Sequence, residues 1–311
     1  MEEKFIADLK GFSGCKLKLY SRDGELFVRK ISKSPDYNER LKSQMVKQQY
    51  FFNNLATEQV SAPRVLGSGF LEDCFFFDME YINGVNLAIY LSSATIDELN
   101  FISQQLVSIL TLMKSQQREA KAKVFSKSQE KIKQIHAKMQ ERLSDTGLLT
   151  VLGEMEAMAQ QCVSSDDPKE TFCHGDLTMD NILYDKEHMK FYLIDFLDSY
   201  ADHYWLDIAK LFQDIEGGWY KFRNPDLDMT NTFLKMAFVE NYLNKNVVFK
   251  ERGYAAYHYL FLALVFARIL PYAEEQDFDY LIGNIKLFVS KYKEQQAQEP
   301  ASRQAAESRR D

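Results

Sequence analysis

Nothing in this sequence is spaced to hold zinc or to form a redox pair. Its four cysteines, Cys15, Cys74, Cys162 and Cys173, are scattered and never reach C-x-x-C spacing, so they read as buried thiols, which suits a reducing compartment. Long apolar runs are also missing. The longest, Tyr259 to Leu270, contains Arg268 and stops before Pro271. It falls short of the roughly 20 residues that cross a bilayer, so a buried helix and no membrane span are expected. Met1 to Lys10 alternate in charge without the apolar stretch of a signal peptide, and a cytoplasmic location is expected. Positive charge is in deficit. A net charge of −7 excludes a general nucleic-acid binder, which needs a basic face to neutralise phosphates. No internal repeat occurs.

What is present is apolar and aromatic bulk. With 46% hydrophobic residues, 23 Phe and 17 Tyr among 311, the chain can bury a large core. That length suits one large domain or two lobes sharing a cleft, and two lobes are expected. Lys16 to Tyr20 and Glu25 to Ile31 alternate apolar and polar residues around Asp23-Gly24, a strong hairpin signal. Ser34-Pro35 reads as the N-cap and first position of a helix reaching about Leu55. Gly67 to Tyr81, with a turn at Glu72-Asp73, predicts a second hairpin.

From Ile96 the period becomes helical, with Phe101, Leu106, Ile109, Leu110 and Met113 on one face. A second helix is expected over Ser126 to Leu143. The Lys114 to Arg142 region carries nine Lys or Arg against three Glu, a pattern read as a solvated helical face. Residues 297–311 are polar, lack aromatics and are expected to be a disordered tail.

The stretch that carries chemistry is Phe172-Cys-His-Gly-Asp-Leu-Thr-Met-Asp-Asn-Ile-Leu-Tyr, followed by Phe191-Tyr-Leu-Ile-Asp-Phe. Ile182 to Tyr184 and Phe191 to Ile194 are strand-like, and 185–190 can close a hairpin between them. In an antiparallel pair the start of one strand lies beside the end of the other, which brings Asn181 to Asp195. An amide oxygen beside a carboxylate is what Mg²⁺ bound mainly by phosphates requires from a protein. Asp176, on the approach to the first strand, is placed to orient an incoming hydroxyl and accept its proton.

Asp176-x-x-x-x-Asn181 matches the spacing of the protein-kinase catalytic loop, with Gly175 where those enzymes carry Arg, and Ile194-Asp195-Phe196 stands where D-F-G would be. Together these residues closely resemble the aminoglycoside phosphotransferase and choline kinase family. The resemblance covers roughly Gly11 to Gln213. It implies an α+β, bilobal protein-kinase-like fold: a small β-rich nucleotide-binding lobe with a hinge (1–84) and a larger, mainly helical catalytic and substrate lobe (85–296). It also implies roles: Asp176 as catalytic base, Asn181 and Asp195 as Mg²⁺ ligands, His174 as a structural loop residue, and Asp207 as a brace for the catalytic loop, with helix capping the alternative.

In the first lobe, Gly11-Phe-Ser-Gly14 stands where the family has a phosphate-covering turn, so Ser13 and Gly14 are expected against phosphate. Phe27-Val-Arg-Lys30 matches the family's lysine strand, with Lys30 on the α- and β-phosphates and Arg29 as rival. The helix glutamate that usually pairs with this lysine is missing; Gln48 falls near its position, and Glu39 is the alternative. Met79 to Gly84 resembles the hinge, with backbone of Glu80 and Ile82 on the adenine.

The expected cofactors are ATP, or GTP, and Mg²⁺, and the expected partner is a small molecule bearing a hydroxyl. Asp198, Asp202, Asp207, Asp214 and Glu216, interleaved with Tyr200, Tyr204, Trp205, Trp219 and Tyr220, would suit a cationic acceptor. Helix caps and core aromatics explain the same pattern, and a neutral sugar remains an alternative. A catalytically silent nucleotide-binding regulator is the second functional reading. Oligomeric state is not legible.

Overall fold

The computed structural model describes residues 3–9, 14–142, 146–163, 166–224 and 228–307. The chain divides into two compact units, Met1–Thr95 with His174–Ser199, and Ile96–Cys173 with Tyr200–Asp311.

The first unit is built on a five-stranded antiparallel sheet. In chain order its strands are β1 (Glu3–Leu9), β2 (Lys16–Arg22) and β3 (Glu25–Ile31), then, beyond helix α1 (Asn38–Asn54) and the short β4 (Val60–Ser61), β5 (Val65–Leu71) and β6 (Cys74–Glu80). Their spatial order is β1-β2-β3-β6-β5. Both hairpins form where the turn residues place them. Asp23 and Gly24 take φ of 53° and 89°, the left-handed pair that matches strand twist in a two-residue turn, and Glu72 takes φ of 55° in the second. Strand β1 has no clear signal in the sequence, because its mixed charges hide a period-2 pattern and it is an exposed edge.

Helix α1 begins later than expected. Pro35–Tyr37 form a 3-10 turn, and Ser34 makes no side-chain cap. The buried face of α1 carries Leu41, Gln44, Gln48 and Phe51. Leu41 packs with Cys15, Phe75 and Phe77 into the core under the sheet.

A second, four-stranded sheet completes this unit. It combines β4, β7 (Val85–Asn86), β8 (Ile182–Asp185) and β9 (Lys190–Leu193) in the order β4-β9-β8-β7, with α2 (Leu87–Leu91) following β7. These pairings explain why 174–199 groups with the N-terminal residues and not, as the expected boundary at 84/85 had it, with the C-terminal part. Two-residue strands such as β4 and β7 leave no periodicity to read.

The second unit is helical: α3 (Ile96–Ser115), α4 (Val124–Arg142), α5 (Thr146–Cys162), α6 (Trp205–Ile215), α7 (Trp219–Arg223), α8 (Met229–Leu243), α9 (Arg252–Ala255), α10 (His258–Ala267) and α11 (Phe278–Glu307). Helix α4 buries Ile132, Ile135 and Met139 while Lys133 and Lys138 are exposed and Lys127 and Lys131 half-buried, so these lysines lie away from its buried face. Helix α10 is the expected buried apolar helix, and no helix among the described residues is long and apolar enough to cross a membrane. Helix α11 extends to Glu307, within the 297–311 stretch expected as a tail. Residues 308–311 lie outside the described residues. The four cysteines are free thiols, three of them buried.

Candidate active site

The catalytic stretch is held by backbone bonds before any side chain contributes. Register pairs Ile182 with Leu193, and one step further the Ile194 N–H donates to the Asn181 carbonyl at 3.0 Å. Asn181 and Asp195 therefore meet at one end of the β8–β9 hairpin, as the spacing predicts. Asp195 then turns the chain with φ of 63°, a left-handed conformation that Asp tolerates better than most side chains.

Asp176 sits on the other side of this point. The Asn181 side-chain amide donates to its backbone oxygen at 2.8 Å and to its carboxylate at 3.1 Å, and the Thr178 N–H donates to the same backbone oxygen at 2.8 Å. With Nδ2 so committed, Oδ1 is the Asn181 atom left to face a cation. Asn181 Oδ1 and the Asp195 carboxylate are hard oxygens of the kind Mg²⁺ takes. Among the described residues no group of three or more His, Cys, Asp or Glu could hold a metal by itself.

His174 is fully buried and ties the two segments together. Its Nε2 donates to the Ile194 carbonyl at 2.9 Å, its Nδ1 accepts the Asp176 N–H at 3.3 Å, and its own carbonyl accepts the Leu197 N–H at 2.9 Å. This arrangement requires the neutral ring. Burial pushes the imidazole down to about 4, Lys47 acts in the same direction, and Asp176, Asp195 and the Ile194 carbonyl oppose it.

The sign of the consequence follows from the ordinary value near 6.5. Between about 6.5 and 4 the unfolded chain binds the proton and the folded one does not. His174 therefore favours folding above about 6.5, and that contribution, up to about 3 kcal/mol, is lost as pH falls towards 4. Urea unfolding at pH 7 and pH 5 should show the loss in wild type and a smaller one in His174→Gln. Equal losses would remove His174 as the cause.

Lys30 is 2% exposed and reaches into the same site from β3. Its Nζ donates to Gln44 Oε1 at 2.9 Å and forms an ion pair with the Asp195 carboxylate. The rival, Arg29, points to the opposite face of the sheet, where it binds Asp78 through two bonds of 2.7 and 2.8 Å. Neither helix partner expected for Lys30 holds. Gln48 donates to the Pro63 carbonyl at 2.7 Å, and Glu39 is an exposed partner of Lys42. Gln44 lies one helical turn before Gln48 on the same face, and a period of 3.6 does not distinguish successive turns. The usable signal was two glutamines on an otherwise apolar buried face.

Beside Lys30 lies a cavity of about 190 Å³. Val28, Met79, Leu183 and Ile194 form apolar walls, Glu80 to Ile82 line one edge, and Lys30 and Asp195 supply charge. Glu80 and Ile82 are thus both at the cavity, though the Glu80 N–H is already taken by the Arg64 carbonyl at 3.0 Å. Cavities of about 510 and 390 Å³ in the second unit contain none of the expected catalytic, metal or nucleotide-binding residues, although Tyr204 lines the larger, so size does not locate the chemistry.

Of the phosphate-covering turn, Gly14 is described, with φ of 75° just ahead of β2, and Ser13 lies outside the described residues. Asp207 is fully buried in the first turn of α6, two residues past its first, so it is not that helix's cap. Much of the acidic and aromatic stretch is core: Asp214, Tyr204, Trp205 and Tyr220 are buried. Glu216 is bound by His258 at 2.9 Å and Lys291 at 3.0 Å.

Comparison with known proteins agrees with this geometry. The sequence profile of the phosphotransferase enzyme family matches residues 9–243. The chain belongs to that family, whose members are kinases acting on hydroxyl groups of small molecules. No curated protein matches it by sequence.

Among solved structures it is similar to an aminoglycoside phosphotransferase, APH(4)-Ia, in a ternary complex with ADP and hygromycin B. That pair shares 14% identity over 92% of this chain and 93% of that one, with a TM-score of 0.63. It is also similar to the GDP complex of aminoglycoside 2′-phosphotransferase-IIIa (14%, 96% and 93%, TM-score 0.58). The third is a Plasmodium vivax ethanolamine kinase (13%, 92% and 82%, TM-score 0.54). These likenesses establish a kinase-like α+β fold.

Proposed function

We propose that this protein transfers the γ-phosphoryl group of ATP or GTP to a hydroxyl of a small metabolite: an aminoglycoside, an amino alcohol such as choline, or a sugar. The observation that carries the reading is the junction of Asp176, Asn181 and Asp195 at one end of the β8–β9 hairpin, with Lys30 paired to Asp195 beside an apolar cavity.

The cavity walls suit a purine, and the 80–82 edge supplies backbone groups to orient it. Lys30 would hold phosphate oxygens, and Asn181 and Asp195 would hold Mg²⁺. When bound, that ion supplies neutralisation of phosphate charge. Asp176 aligns the acceptor hydroxyl and takes its proton. The rate enhancement then rests on positioning and on charges set in place beforehand.

ADP and GDP occur in the two aminoglycoside phosphotransferase structures, which supports a nucleotide donor and leaves ATP and GTP both to be tried. One observation favours the second reading, a silent nucleotide-binding regulator: the helix partner of Lys30 is the neutral Gln44.

A panel of amino alcohols, aminoglycosides and free sugars, each with labelled Mg-ATP and Mg-GTP, separates the two. Transfer to one class of acceptor is expected. Tight nucleotide binding with no transfer to any acceptor would replace the enzyme reading with the regulator.

A further inference from the structure

We propose that Lys47 is a positioning residue for phosphoryl transfer: it clamps the Leu197 carbonyl against the catalytic loop and so sets Asp176 and Asp195 at their working separation. The proposal rests on the functional reading above.

The α1 side chain that meets Lys30 is the neutral Gln44, so that contact is a hydrogen bond to an amide. The helix is tied differently. Positions 43, 47 and 51, successive turns of one face, meet residues 198, 197 and 196 in turn. The Ser43 hydroxyl donates to Asp198 at 2.8 Å, Lys47 Nζ donates to the Leu197 carbonyl at 2.7 Å, and the rings of Phe51 and Phe196 pack at 5.6 Å.

The middle contact matters most because of where the Leu197 peptide lies. Its N–H donates to the His174 carbonyl at 2.9 Å. Its oxygen lies so close to Gly175 that a Cβ there would stand 2.1 Å away. Leu197 is two residues beyond Asp195, and Gly175 immediately precedes Asp176. A shift of this one peptide therefore changes the spacing of the two carboxylates. A charged donor on a carbonyl is the stronger kind of hydrogen bond, and Lys47 supplies it.

Two measurements test the clamp. Lys47→Met should lower kcat about 10-fold or more, with the nucleotide KM within about 2-fold of wild type, since misplacement costs the reacting geometry and spares binding. Lys47→Arg should recover most of it, and Lys47→Gln replaces the methionine variant should that one not fold.

In the nucleotide-free protein, exchange of the Leu197 amide should quicken about 10-fold in Lys47→Met while the Ile194 amide keeps its rate. Unchanged kcat, unchanged Leu197 exchange, or a kcat loss matched by a general loss of stability would each overturn the proposal. If wild type phosphorylates no acceptor, the functional reading fails by itself, and the exchange measurement still decides whether the clamp exists.

Discussion

Asp176→Asn is expected to lower phosphoryl transfer by about 10³-fold, within the range for loss of a positioned general base, while nucleotide affinity stays near the wild-type value. The geometry makes this a clean substitution. The loop around Asp176 is held by its own backbone, through the bonds from Thr178 N–H and from the Asn181 amide to the Asp176 carbonyl, and through its N–H to His174. An isosteric amide keeps all of these and removes only the carboxylate that accepts the hydroxyl proton. Lys30 and Asp195 are untouched, and the new amide oxygen can still accept the Asn181 side-chain bond that the carboxylate accepts at 3.1 Å. Turnover near wild type would show that Asp176 is not the base, and lost nucleotide binding would show that the variant had disturbed more than one atom.

Gly175→Ala is expected to destabilise the fold by roughly 2–5 kcal/mol, adding the cost of a strained backbone conformation to that of overpacking. Gly175 has φ of 90°, where side chains are strained whatever the space around them. Space is also lacking, because the new Cβ would meet the Leu197 carbonyl oxygen at 2.1 Å and its carbon at 2.9 Å. Leu197 cannot easily yield, being fixed by Lys47 on its oxygen and by His174 on its N–H. This explains why glycine, and not the arginine of protein kinases, stands before Asp176. Urea unfolding measures the effect. A loss under about 1 kcal/mol would mean that the 195–198 segment relaxes away, and the close contact would then not be a constraint.

The parts legible beforehand share a physical cause. Asp23-Gly24 predicts its hairpin because few residue pairs adopt two left-handed conformations in succession. Sequence spacing brings Asn181 to Asp195 because antiparallel pairing converts spacing into position. Lys30 was separable from Arg29 in principle by strand alternation, but only the register of β3 against β6, with Lys30 opposite Phe77 and Arg29 opposite Asp78, shows which of them turns inward.

Other features depended on chain segments that local pattern does not connect. Gln44 takes Lys30 instead of Gln48 because helix and sheet pack at a particular axial offset, and a shift of one turn leaves the hydrophobic pattern unchanged. The pairings of β4 with β9 and β7 with β8 draw 174–199 into the first unit although each partner strand is two residues long. The cationic acceptor suggested by alternating carboxylates and aromatics lost its simplest support once Asp214, Tyr204 and Tyr220 were seen to be buried, since composition does not say which way a side chain faces.

By itself, then, the sequence determined which side chains gather, Asn181 and Asp195 at one end of the β8–β9 hairpin with Asp176 on its approach, and its motifs carried the resemblance to the phosphotransferase family. Those facts are local, set by turn residues, strand alternation and spacing over some twenty positions. The tertiary structure alone decided which helix residues meet Lys30 and Leu197, why position 175 excludes a side chain, and which acidic residues belong to the core. These are contacts between segments far apart in the chain, and their partners are chosen by packing, which no single segment encodes.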